Sequence, residues 1–128
     1  MNKKILITED SPTILAITKD TLESVGYSVI CAVDGQEGLD KARKEMPDLI
    51  ILDLMLPKID GYKVCRMLKF DERYKKIPVI LLTARAGETD VKLGREVGAD
   101  AYIIKPFEPE ILLSKITELL NRSEDGNN

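Results

Sequence analysis

Five short apolar runs recur along the chain: Lys4-Ile5-Leu6-Ile7-Thr8, Ser28-Val29-Ile30-Cys31-Ala32, Leu49-Ile50-Ile51-Leu52, Val79-Ile80-Leu81-Leu82 and Ala101-Tyr102-Ile103-Ile104. Three of them carry apolar side chains at successive positions, so both faces need cover, as in a parallel strand between helices. Stretches of helical period separate and follow these runs. The first opens at Ser11-Pro12, an N-cap residue followed by proline at the first helical position, and stops near Gly26. Asp34 and Glu37 have capping-box spacing for the second, which ends before Pro47. A third follows Asp60-Gly61 to about Phe70, and a fourth covers about Glu88 to Val97 with Gly98 as its stop. The last spans about Pro109 to Asn121, with Ile111, Leu112, Ile116, Leu119 and Leu120 at helical spacing. Along the first helix, Ile14, Ile17, Leu22 and Val25 are expected to form the buried stripe, leaving Leu15 exposed beside it.

Strand and helix alternate, which predicts an α/β domain with a parallel sheet and right-handed crossovers. The folded unit is expected over residues 1–121, and 122–128 reads as a polar tail or the start of a linker. At 128 residues the chain fits one domain. Its 44% apolar content supports a real core, and its 19 basic and 22 acidic residues give a net charge of −3. That charge supplies no reason to expect direct nucleic-acid or membrane binding. The apolar run of the N-terminus, Ile5-Leu6-Ile7, is too short for a signal peptide or a span, so a cytoplasmic protein is expected. Cys31 and Cys65 lie far apart without CxxC spacing and read as two buried free thiols. Histidine is absent, which removes Ser-His and Cys-His nucleophiles, His-bearing metal sites and any phosphohistidine on this chain.

In open parallel sheets the functional crevice lies beyond the carboxyl ends of the strands. There the first run delivers Glu9 and Asp10, the third Asp53, the fourth Thr83 and the fifth Lys105. Singly, each has a plain structural role: helix-terminal acid, turn acid, strand-end hydroxyl, solvated lysine. Together they have no structural need to converge. Converging acids repel, by about 4 kcal/mol per pair at about 4 Å and an effective dielectric of about 20. Either they point apart into water or they hold a cation. All-oxygen donors suit a hard, partly hydrated ion such as Mg²⁺. Thr83 and Lys105 would then serve an oxygen-rich anion such as a phosphoryl group.

Glu9-Asp10 after the first run, DLMLPKIDGY around Asp53, VILLTA ending at Thr83-Ala84, and GADAYIIKPF around Lys105 together resemble the receiver domain of two-component response regulators. The likeness covers nearly the whole chain. It implies a (βα)5 doubly wound fold with the five-stranded parallel sheet in the flavodoxin-like order 2-1-3-4-5, the order given for a chemotaxis receiver. It implies that Asp53 accepts a phosphoryl group, with Thr83 and Lys105 contacting that group. Glu9, Asp10, Asp53 and the backbone carbonyl of Met55 are the implied holders of Mg²⁺ or Mn²⁺, and Lys105-Pro106 the implied cis peptide. With no histidine here, the donor is a separate sensor histidine kinase or histidine phosphotransfer protein. The domain is then a regulatory phosphoacceptor and not a turnover enzyme.

The family also implies a switch in which Thr83 moves toward the phosphoryl group and the Tyr102 ring enters the vacated space. That remodels the fourth helix, fifth strand and fifth helix to control a target protein or an output domain outside these residues. Gly87 and Gly94 weaken the fourth helix. Ile14, Leu15 and Thr18 are the implied docking residues for the donor. Met55, two residues after Asp53, cannot orient an attacking water, and Arg85 could screen the phosphoryl group instead, so slow dephosphorylation is expected. The chain is expected to be a monomer or a phosphorylation-dependent dimer, although Ala101, Val91 and Ile111 break the charge pattern of one familiar dimer. Competing readings lack their signatures. A flavin or dinucleotide site needs a glycine-rich or hydroxyl-rich loop after the first strand, and an aspartyl phosphatase needs a second Asp where Met55 stands. A receiver-like scaffold that is never phosphorylated remains the alternative.

Overall fold

The computed structural model describes residues 2–84 and 87–125, without the side chains of 123–125; Arg85 lies outside the described residues. Five strands, β1 (Lys4–Thr8), β2 (Ser28–Ala32), β3 (Leu49–Asp53), β4 (Val79–Thr83) and β5 (Ala101–Ile104), alternate with five helices. These are α1 (Pro12–Ser24), α2 (Gly35–Glu45), α3 (Gly61–Lys69), α4 (Glu88–Glu96) and α5 (Pro109–Asp125). All strands are parallel, in the order β2-β1-β3-β4-β5, as expected.

The central strands β3 and β4 are buried at every position, which is why their sequence is apolar without alternation. Alternate residues feed two cores. Leu6, Ile50, Leu52, Val79 and Leu81 meet α2, α3 and α4 on one side. Ile5, Ile7, Ile51, Ile80 and Leu82 meet α1 and α5 on the other. Helix starts follow their caps: Ser11, Asp34 and Asp60 each accept a backbone N–H three residues on, from Ile14, Glu37 and Lys63.

The stripe on α1 differs from the expected one. Ile17 and Val25 are 59% and 55% exposed, whereas Thr18 and Leu22 are buried and Leu15 packs on the core. The inward residues 15, 18 and 22 still have helical spacing. Thr18 can be buried because its hydroxyl donates to the Ile14 carbonyl at 2.8 Å, so its polar atom is satisfied within the helix. A reading that ranks isoleucine above threonine therefore selects the neighbouring face. A smaller difference concerns α5, which continues through Asp125 beyond the expected end near Asn121; its Ile111 is 55% exposed. Both cysteines are free, but only Cys65 is fully buried. Burial pushes its thiol up to about 12, leaving almost no nucleophilic thiolate at neutral pH.

Thr8 and Gly38 show how closely α2 lies on β1. An alanine Cβ at 38 would come within 2.7 Å of Thr8 Oγ1. That hydroxyl is buried and finds no hydrogen-bond partner among the described residues. Thr8→Val keeps the shape and removes the unsatisfied group, and is expected to raise stability by about 1 kcal/mol. A urea midpoint that falls would show that the hydroxyl is bonded after all.

Candidate functional site

Strand ends deliver the predicted groups to one edge of the sheet. One carboxylate oxygen each from Glu9, Asp10 and Asp53 lies within 4.8 Å of the others. Glu9 and Asp53 are buried, and Asp10 faces solvent. Lys105 reaches across from β5, with its Nζ 2.8 Å from Glu9 Oε1 and 3.5 Å from Asp53 Oδ2. Its backbone N–H donates to the Thr83 carbonyl at 2.7 Å, which fixes the lysine to the end of β4. The Lys105-Pro106 bond is cis. Thr83 is fully buried beside this corner.

Burial raises the Glu9 carboxyl above its usual range, and Asp53 adds to the rise; the Lys105 ammonium and the Ser11 N–H pull it back down. The Ser11 N–H donates to Glu9 Oε2 at 3.2 Å, so the start of α1 also steadies this acid. One ammonium thus pairs with two of the three clustered acids. An oxygen-only donor set with surplus negative charge suits a hard divalent cation and not a soft one. The donor chemistry fits Mg²⁺.

The loop after Asp53 carries Met55, whose side chain is 57% exposed and whose N–H donates to Asp53 Oδ1 at 3.4 Å. Two glycines hold this loop in place. The Gly35 N–H donates to the Pro57 carbonyl at 3.1 Å, and a Cβ there would sit 1.8 Å from the Ile59 carbonyl oxygen. The Gly61 N–H donates to the Leu54 carbonyl at 3.1 Å, and a Cβ there would be 2.4 Å from the Asp53 carbonyl oxygen. The sequence pattern sets Gly61 just before the third helix and gives Gly35 no role. Its visible signals were the Asp34-Gly35 and Asp60-Gly61 pairs, a cap followed by the residue that permits close approach.

Tyr102 stands half-buried on β5, packed toward the α2–α3–α4 side. Gly94, expected only to weaken α4, is where the helix meets this ring: a Cβ there would lie 2.9 Å from Tyr102 Cδ2. Gly87 is the N-cap of α4 and lies outside the helix proper. Of the expected docking residues, Ile14 is half-buried at the surface, Thr18 is buried, and Leu15 turns inward, contrary to the expected exposure. Ile14 and Thr18, two of the expected docking residues, line an apolar cavity of about 120 Å³ between α1 and α5 together with Ile17, Thr21, Phe107 and Leu112.

The sequence profile of the response regulator receiver domain matches residues 5–117. The chain belongs to the response regulator receiver family. Among its relatives is the alkaline phosphatase synthesis transcriptional regulatory protein PhoP of Bacillus subtilis, 47% identical over 97% of this chain and 51% of the relative. Another is the DNA-binding dual master transcriptional regulator RpaA of Synechocystis, 46% identical over 94% of this chain and 50% of the relative. The receiver thus spans about half the length of the curated relatives it matches. Among solved structures it resembles a CheY-like receiver domain protein from Methanospirillum hungatei. The TM-score is 0.92 at 35% identity, covering 98% of this chain and 99% of the other. It also resembles the signal receiver domain of a histidine kinase from Syntrophus aciditrophicus, with TM-score 0.88 and 41% identity over 93% and 90% of the two chains. The fold, the family and its phosphorelay signalling context therefore agree with the acidic pocket. Among the described residues no helix is long and apolar enough to cross a membrane.

Proposed function

We infer that this receiver is a phosphorylation-dependent switch whose phosphoacceptor is Asp53. The observation that carries the reading is the Lys105 ammonium set between Glu9 and Asp53 at a corner of three carboxylates. An Asp53 oxygen attacks the phosphorus of a phosphohistidine on a kinase or phosphotransfer protein. The phosphorus–nitrogen bond breaks, the imidazole leaves with its electron pair and takes up a proton, and an acyl phosphate remains. Lys105 pairs with one phosphoryl oxygen and the Thr83 hydroxyl donates to another, stabilising charge that the transfer concentrates there. Glu9, Asp10, Asp53 and the Met55 carbonyl would hold Mg²⁺, which neutralises phosphoryl charge when bound. Met55 offers no group to orient a hydrolytic water, which supports a long-lived phosphorylated state.

The α1–α5 cavity supports docking of the donor's helix by Ile14, Ile17 and Phe107, close in the fold to the β1–α1 acids. Tyr102 and α4 supply the response side. The relatives' printed roles in transcription support a DNA-binding output, attached or separate, under this receiver's control.

Intact-mass spectrometry after incubation with acetyl phosphate tests the reading. Wild type is expected to gain one phosphoryl group only with Mg²⁺ present, and Asp53→Asn none. With a phosphotransfer protein as donor, Ile17→Asp should slow transfer while leaving the acetyl phosphate reaction intact. If wild type gains nothing in either format, the unphosphorylated scaffold becomes the better reading.

A further inference from the structure

Tyr62 lies one residue past Gly61, and so one residue past the backbone contact that presses α3 against the Asp53 carbonyl. Its hydroxyl donates to the Asp90 carbonyl of α4 at 2.8 Å. The same hydroxyl lies 3.5 Å from the Tyr102 hydroxyl. Either hydroxyl can donate across that gap, so the two are coupled whichever carries the shared proton. Asp90 and Gly94 stand four residues apart, on one face of α4. The face that leaves room for the Tyr102 ring at Gly94 is thus the face that Tyr62 ties down at Asp90. Two routes then join the acidic pocket to α4: Lys105 to Tyr102 along β5, and Asp53 to Tyr62 through the start of α3.

We propose that the Tyr62 hydroxyl is a latch: it holds the Tyr102 ring against Gly94 and the first turn of α4 in place, and so sets how readily the receiver adopts its phosphorylated form. This rests on the Asp53 reading above. Tyr62 acts as a positioning residue through Tyr102 and α4. The inward ring is the arrangement that phosphorylation favours under that reading. A hydroxyl that stabilises it raises the fraction of molecules competent to bind a phosphoryl group, and with it the apparent affinity.

The test uses Tyr62→Phe, which keeps the ring and removes only the oxygen. Beryllofluoride, a phosphoryl mimic, is titrated with Mg²⁺ by calorimetry. In parallel, the receiver is made with 3-fluorotyrosine and its Tyr102 fluorine resonance is assigned from Tyr102→Phe. Tyr62→Phe is expected to weaken beryllofluoride binding about fivefold, the worth of one ordinary hydrogen bond, and to move the Tyr102 resonance before any ligand is added. In a Tyr102→Phe background the same substitution should have a smaller effect on binding, because the two hydroxyls act on each other. An unmoved Tyr102 resonance, or unchanged or tighter beryllofluoride binding, overturns the latch. Wild type that fails to bind beryllofluoride is a distinct failure: it overturns the Asp53 reading itself, and the latch with it.

Discussion

Gly35→Ala is expected to lower the stability of this receiver by about 4 kcal/mol or more, a loss reached by few single substitutions. Helix propensity alone predicts the opposite sign, since alanine is favoured over glycine inside a helix by about 1 kcal/mol. The close approach decides between them. A Cβ at 35 would sit 1.8 Å from the Ile59 carbonyl oxygen, a backbone atom that cannot swing aside as a side chain can. Relief requires α2 and the loop between Leu54 and Asp60 to separate, which breaks the Gly35 to Pro57 hydrogen bond and displaces the residues that follow Asp53. Gly87→Ala serves as the control. Its nearest atom would be the Asp90 carboxylate at 3.1 Å, the far end of a side chain and not backbone, so its cost should stay within about 1 kcal/mol. Urea midpoints for the two variants measure the difference, and equal midpoints would mean that the loop and α2 are not held as tightly as the geometry indicates.

Lys105→Met is the second large effect. The variant leaves the buried Glu9 and Asp53 carboxylates facing each other without their shared cation, at an expected cost of about 3 kcal/mol near pH 8 in EDTA. The cost should depend on pH. Glu9 already titrates above its usual range through burial, and removing the ammonium that pulls it down drives it higher. The folded state then holds that proton more tightly than the unfolded chain. Stability is therefore full below the ordinary carboxylate range and falls as pH rises through the raised value. Urea unfolding at pH 5 should show a smaller penalty than at pH 8, and added Mg²⁺ should reduce the penalty at pH 8. A penalty of equal size at both pH values would mean that Glu9 does not depend on Lys105 for its charge.

Much of this molecule could be read before its structure. The strands were legible because β3 and β4 are buried on both faces and must be apolar at successive positions, a pattern few other elements require. The pocket was legible because Glu9, Asp10, Asp53, Thr83 and Lys105 all follow or end strands, and parallel strand ends lie at one edge. The α1 face was misread because burial there falls on Thr18, whose polarity is cancelled by a bond within its own helix. The parts of Gly35, Gly61 and Gly94 were hidden for a different reason. A glycine chosen for what it leaves out carries no mark of which neighbour fills the space, and only the packed neighbours Ile59, Asp53 and Tyr102 reveal it. Tyr62 was passed over because its partners, Asp90 and Tyr102, are 28 and 40 residues away in sequence.

The unequal cover of the strands divides the pocket mechanically. Asp53 and Thr83 end the two strands that are buried throughout, so their backbones shift only when the centre of the sheet does. Lys105 follows β5, a four-residue edge strand with Ile104 42% exposed, and the neighbouring α4 has only glycine at its cap. Asp53 is anchored to the fully buried centre of the sheet, and the lysine that faces it to the partly exposed edge. A change of charge at Asp53 therefore meets resistance on one side and yields on the other, so the displacement it causes has a direction set by the sheet itself.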